Sequence, residues 1–160
     1  MNPLNADDLQ AFLQVNAIPA EILRLPVPTP TVETAAQAVG AQERQIVKSI
    51  LFLVDDQPVL AIACGTAYID RRAIADLYGV GKKRVKLASP EEVMMLSGYE
   101  VGAMPPFGHR QPLRSLLDKR ILELSEAFAG GGAENALMRI SPQEMLRVSK
   151  AQVMDLVGGA

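Results

Sequence analysis

The sequence predicts an α+β fold, a mixed and largely antiparallel twisted sheet surrounded by helices. Three observations carry that prediction. Two nearly continuous apolar runs, residues 46–54 and 59–64, flank a turn at Asp55-Asp56-Gln57 and read as a hairpin covered on both faces. Two helix-opening boxes, Ser89-Pro90-Glu91-Glu92 and Ser141-Pro142-Gln143-Glu144, each place a capping hydroxyl, a proline at the first helical position and a carboxylate three residues after the cap. Strands and helices are interspersed without strict strand-helix-strand alternation, which argues against an all-parallel sheet.

Taken in order, residues 5–17 carry Leu9, Phe12, Leu13 and Asn16 at helical spacing, with Asp7 and Asp8 in the first turn where the helix dipole favours them. Residues 20–25 read as a short strand, and the proline-rich stretch 26–30 as an extended connector. Thr31 caps an alanine-rich helix over Val32–Val39, which Gly40 ends. After the hairpin come a helix over 70–78 closed by Gly79, a short strand over 84–87, and the helix from Ser89 through Leu96. Residues 116–124 read as mixed strand and turn, Gly130-Gly131-Gly132 as a turn, 136–140 as a strand, Ser141 as the start of a helix, and 151–157 as a last strand.

At 160 residues the chain fits a single domain, residues 1–160, that buries about two-thirds of its unfolded surface. Aromatic residues are only 4% and tryptophan is absent, so the core must be aliphatic and rich in methionine, and aromatic platforms for single-stranded nucleic acid are not expected. One cysteine, Cys64, and one histidine, His109, allow neither an internal disulfide nor a zinc constellation. The start Met1-Asn2-Pro3 lacks the blocks of a signal peptide and no apolar run reaches the ~18 residues of a membrane span, so a cytoplasmic protein without a membrane partner is expected. A formal net charge of −2 disfavours general DNA binding. A local basic cluster, Lys82, Lys83, Arg84 and Lys86, with Arg71 and Arg72 upstream, reads either as a solvated edge or as a phosphate contact.

Lys48 interrupts the first hairpin strand, sharing a face with Ile46, Ile50, Phe52 and Val54. Either its stem threads over apolar neighbours with the charge in water, or its ammonium lines a cleft and meets an anionic or carbonyl-bearing ligand. Downstream, residues 98–109 hold three glycines and the pair Pro105-Pro106, a stiff loop whose amides at Gly102, Ala103 and Met104 suit a carbonyl oxygen or an adenosine edge. His109 closes that loop and reads as ligand-facing or as a surface histidine. Other schemes are weaker. Cys64 lies in an apolar strand, Ser49 points to the face opposite Lys48, and Gly79-Val80-Gly81-Lys82-Lys83 lacks the spacing of a phosphate loop.

Val47-Lys48-Ser49 in an apolar strand, Gly98-Tyr99 followed by Val101 to Gly108, and Gly130-Gly131-Gly132 before the helix at Ser141-Pro142 together resemble the YbaK family, whose domains also occur inserted in bacterial prolyl-tRNA synthetases. The resemblance runs in order over residues 31–156. It implies a YbaK-like mixed sheet and an aminoacyl-tRNA deacylase that edits in trans, hydrolysing the ester between a mischarged small amino acid and the 3′ end of tRNA. It implies an essential lysine at Lys48 and a catalytic Gly-x-x-x-Pro loop from Gly102 to Pro106. With it, Thr31, Ser49, Ala103, Met104, His109, Gly131 and Gly132 become expected substrate contacts, and Lys82, Lys83, Arg84 and Lys86 expected tRNA contacts. No metal or other cofactor is implied; the partners are mischarged aminoacyl-tRNA and, further, an aminoacyl-tRNA synthetase. The chain departs from members that carry serine at the glycine turn, where it has Gly130, and aspartate in the next strand, where it has Leu137. The alternatives are a non-catalytic tRNA- or nucleotide-binding module of the same fold and a protein-interaction domain using 26–30 and Met94-Met95.

Overall fold

The computed structural model describes residues 2–158. Five strands, β2 (Val47–Val54), β3 (Gln57–Cys64), β4 (Val85–Leu87), β5 (Arg114–Asp118) and β8 (Gln152–Met154), form one sheet in the order β4-β2-β3-β5-β8. β1 (Ala20–Arg24), β6 (Ala127–Gly130) and β7 (Ala136–Ile140) form a second, antiparallel sheet in the order β1-β7-β6. β2 is antiparallel to β3 and β4, whereas β3 with β5 and β5 with β8 are parallel. The five-stranded sheet is therefore mixed, with two antiparallel and two parallel pairs, and antiparallel pairing predominates over the two sheets together; the five α-helices among the described residues are α1 (Ala6–Val15), α2 (Val32–Val39), α3 (Arg71–Tyr78), α4 (Pro90–Ser97) and α5 (Pro142–Ser149). None of them is long and apolar enough to cross a membrane.

The hairpin turns at Asp55 and Asp56, both with positive φ (49° and 68°), the two-residue geometry that matches strand twist and that aspartate tolerates. It sets the register Val47 opposite Cys64 through Val54 opposite Gln57. Alternation then sorts β2 between two cores. Val47 and Leu51 join Leu60, Ile62, Leu9, Leu13 and Met145 on one side, while Phe52 and Val54 join Val59, Ala61, Ile74 and Leu116 on the other. Each fully buried aliphatic side chain contributes about 1.5–3 kcal/mol, so a one-residue slip would expose both sets. A third cluster, Ala35, Ala36, Ile46, Phe128 and Leu137, lies under α2. There the two sheets meet, with Ile46 bridging Phe128 in parallel.

Side chains set the helix starts as expected: Thr31, Ser89 and Ser141 each accept from the amide three residues on. The structure differs from the sequence reading in five places. α1 ends at Val15 rather than Ala17, whose φ is positive (51°). Lys82–Arg84 forms a 3-10 turn before β4. Residues 116–124 divide into β5 and a 3-10 helix, Lys119–Glu123, because the fully buried Asp118 accepts from Arg120 N and Leu156 N and turns the chain there. β6, a strand the sequence reading did not contain, precedes the glycine turn, and the last strand shortens to Gln152–Met154.

Candidate functional site

β4 covers only the far half of β2. Its ladder spans Phe52 to Val54, followed by one bond from Ala88 N to Leu51 O. Leu51 thus turns its carbonyl toward β4, whereas Ile46 O faces the β3 side and accepts from Gly65 N. By this alternation Ser49 presents its own amide and carbonyl to the edge that β4 has left, and among the described residues no strand pairs with it there. A cavity of about 160 Å³ occupies that gap, with Ser49, Ile50, Leu87, Val93, Gly102 and Met104 in its wall.

The Ser49 Oγ is buried and has no hydrogen-bond partner. A hydroxyl in that state costs roughly 1–3 kcal/mol, an unmet hydrogen bond beside the cavity. Everything around it is apolar or backbone. The site is therefore a small, largely apolar chamber.

The opposite wall is the loop after α4. Gly98 ends the helix with positive φ (86°), and Tyr99 is buried at 1% exposure. Gly102 has φ of 87° and a would-be Cβ that meets nothing, so only its backbone conformation demands glycine. The expectation of three free amides is corrected for Ala103, whose N–H donates to Glu100 O at 3.1 Å to close the turn. The Gly102 and Met104 amides make no hydrogen bond among the described residues and remain as donors. Behind the loop stands the glycine turn: Gly132 N donates to Ala103 O at 2.9 Å, and a Cβ at Gly130 would overlap the Met104 carbonyl. Glycine in place of serine at 130 lets that carbonyl rest directly on the turn. Gly131 and Gly132 act from behind in the same way, a Cβ at either meeting backbone of Ala136 or Ala6.

Lys48 lies on the other face of β2, next to Ser49 but outside the cavity wall, and its Nζ donates to Ala67 O at 2.8 Å. Burial pushes its pKa down from the usual lysine range, against a smaller opposing influence of Cys64. The Cys64 thiol is itself pushed up, chiefly by burial, which leaves it a packing group.

Pro106 and His109, expected at the site, face away from it. Phe107 stacks on Phe12 of α1 with centroids 5.8 Å apart, which carries 106–109 to a separate pocket of about 540 Å³ with Val148 and Lys150 in its wall. His109 Nε2 lies 2.8 Å from Pro105 O, and because a carbonyl only accepts, this nitrogen carries the proton and staples the loop. Burial lowers the His109 pKa below 6.5, with the Pro105 hydrogen bond opposing. The unfolded chain then binds more protons than the folded one between the folded value and 6.5, so this contribution to stability is full above 6.5 and lost as pH falls through that window. The midpoint of urea unfolding should drop between about pH 7.5 and about pH 5.5, and the drop should shrink in His109→Gln. An undiminished drop in the variant would assign it to another group.

Thr31 uses its hydroxyl to cap α2, accepting from Thr34 N at 3.1 Å, and is not in the cavity wall. Lys82, Lys83 and Lys86 are exposed, whereas Arg84 is held by Asp55 at 2.6 Å. The sequence reading did not foresee the apolar wall of Ile50, Leu87 and Val93. Its one advance signal was the Ser89-Pro90 box, which sets where α4 begins and so where Val93 points.

The aminoacyl-tRNA editing domain family matches residues 27–148. The chain is 31% identical over 124 residues to the uncharacterised protein YwhH of Bacillus subtilis (strain 168), a match covering 77% of each. It is 26% identical over 130 residues to the proline–tRNA ligase of Streptococcus equi subsp. equi (strain 4047), taking in 81% of this chain and 21% of the ligase. Among solved structures, a candidate trans-editing enzyme for prolyl-tRNA synthetase superposes with a TM-score of 0.89 at 37% identity, covering 96% of this chain and 97% of that one. The hypothetical protein APE2540 superposes with a TM-score of 0.86 at 28% identity over 94% and 99% of the two chains.

Proposed function

The chain belongs to the aminoacyl-tRNA editing domain family, and from that membership we propose that it hydrolyses, in trans, the ester joining a mischarged small amino acid to the 3′ end of a tRNA. The observation that carries this reading is the 160 Å³ cavity between Ser49 and the Gly102 loop. Its volume suits a small amino acid, its wall is largely apolar, and beside it lies the Ser49 hydroxyl, which has no partner of its own.

With the aminoacyl group seated there, the ester carbonyl meets the Gly102 and Met104 amides. Water adds to the carbonyl carbon, and the oxygen that gains negative charge is stabilised by donors already in place. The intermediate then expels the ribose oxygen, which takes up the proton brought by the attacking water, releasing free amino acid and tRNA. Lys48 acts through its charge. Its position on the outer face, with Nζ on Ala67 O, favours a role on the phosphate of the terminal adenosine over one on the ester oxygen. Lys82, Lys83 and Lys86 supply further exposed charge for the tRNA backbone.

The test is deacylation of tRNAs charged with alanine, serine, threonine or cysteine. At least one of them should lose its amino acid about a hundredfold or more faster than without protein. Tight tRNA binding with no release from any of the four would instead make the chain a binding module, and neither binding nor release would defeat the reading altogether.

A further inference from the structure

A chain this poor in aromatics leaves one ring in solvent. Phe52, Tyr99, Phe107 and Phe128 are buried, Phe12 and Tyr78 are partly covered, and Tyr68 is 89% exposed. Tyr68 sits on the short connection from β3 to α3, and that connection is tied down along its length. Gly65 N donates to Ile46 O at 2.9 Å, Ile69 bridges Val157, Asp70 N donates to Leu156 O at 2.7 Å, and the carbonyl of Ala67, directly before Tyr68, accepts the Lys48 ammonium at 2.8 Å. The ring is thus exposed on a fixed backbone, which lowers the entropy that a ligand must remove.

Its surroundings are cationic and lead to the cavity. Arg71 stands over the Phe52 ring at 5.6 Å, and Phe52 pairs with Leu87, which is 57% exposed and forms part of the cavity wall. Lys48, Ile50 and Phe52 share one face of β2, so that face runs from the cavity lip at Ile50 and Leu87 to Lys48 on one side and Arg71 on the other. Arg72 adds a further exposed cation, and the nearby Asp70 carboxylate is occupied in capping α3, accepting from Arg72 N. Fixed positive charge beside an uncovered ring is the arrangement that holds single-stranded nucleic acid, phosphates on the cations and a base on the ring.

We propose that Tyr68 is the stacking platform for a base of the single-stranded 3′ end of tRNA, with Lys48 and Arg71 meeting the flanking phosphates. This rests on the deacylase reading and identifies the surface that would deliver the ester to the cavity. It runs against the expectation from composition that aromatic platforms are not to be looked for here.

The probe is an uncharged RNA hexamer ending in CCA, labelled at its 5′ end and titrated by fluorescence anisotropy. Tyr68→Ala should weaken binding about tenfold or more, whereas Tyr68→Phe, which keeps the ring, should stay within about twofold of the parent. Arg71→Gln should lower the slope of log affinity against log salt by roughly 0.7. Equal affinity of Tyr68→Ala and parent, Tyr68→Phe as weak as Tyr68→Ala, or no binding of the hexamer by the parent would each overturn the platform. The hexamer carries no amino acid, so absence of deacylation in the charged-tRNA screen would defeat the hydrolase reading while leaving this result standing.

Discussion

Lys48→Ala should lower the single-turnover rate of deacylation by about a hundredfold or more, while the thermal midpoint should move by only a few degrees. The two halves of this expectation have different causes. The ammonium is partly removed from water, as its depressed pKa records, and it makes one charge-assisted bond, to Ala67 O. Deleting it forfeits about 1.5–3 kcal/mol for that bond but also relieves the desolvation of a cation, so the net change in stability is small. A chain of this size loses about 2–4 °C per kcal/mol. No other residue of β2 carries a charge. Lys48→Met, which keeps an apolar stem without the charge, should be as inactive as alanine. Parental rates in both variants would reduce Lys48 to a strand residue that fastens the 65–69 connection.

Gly132→Ala should damage the fold severely, through both its backbone conformation and a clash. Its φ of 92° costs an L-residue about 1–2 kcal/mol, and the new Cβ would lie 2.9 Å from the backbone N and Cα of Ala6 and from the backbone carbon of Asn5, which no rotamer can relieve. Overpacking of this kind costs a further ~1–3 kcal/mol, and together these predict a fall in melting temperature of about 5–15 °C. Deacylation should fall at least about tenfold even well below melting, since Gly132 N holds the Ala103 carbonyl and with it the cavity loop. Gly81→Ala is the control: its φ is not positive, nothing stands within 4 Å of its Cβ, and it should be neutral or slightly stabilising. A Gly132→Ala protein that melts and reacts like the parent would mean that turn and loop are not coupled.

What could be read in advance was what short-range chemistry decides. Asp55-Asp56 set the hairpin, and Thr31, Ser89 and Ser141 set three helix starts, because each signal and its effect lie within four residues. The opposite facing of Lys48 and Ser49 followed from strand alternation alone. β6 was not legible: Ala127-Phe128-Ala129-Gly130 has no β-branched residue and is a strand only because β7 and Ile46 pair with it. The loop reading failed where a distant partner intervenes. Gly102 and Met104 meet the cavity, but Phe107 turns to stack on Phe12, and no local pattern at 105–109 discloses that. Leu137 packs with Ile46 and Phe128 under α2, a contact set only by the joining of the two sheets.

The cavity loop is gripped from both ends of the chain. Leu4 N bonds Gly98 O at 2.7 Å, Arg110 reaches Asn2 O at 2.7 Å, and Gly132 lies between Ala103 and Ala6. During synthesis, therefore, residues 2–6 leave the ribosome before the glycine turn does and wait for a hundred or so residues until it arrives to close around them. Contacts so far apart carry the loop-closure cost before any return, which places this corner late in folding. The hairpin and its two cores can form on the nascent chain, but the chamber beside Ser49 takes shape only after β7 has emerged to hold the turn. The proposed deacylation then requires the chain through β7, because the chamber that would hold the aminoacyl group is incomplete until that strand has paired.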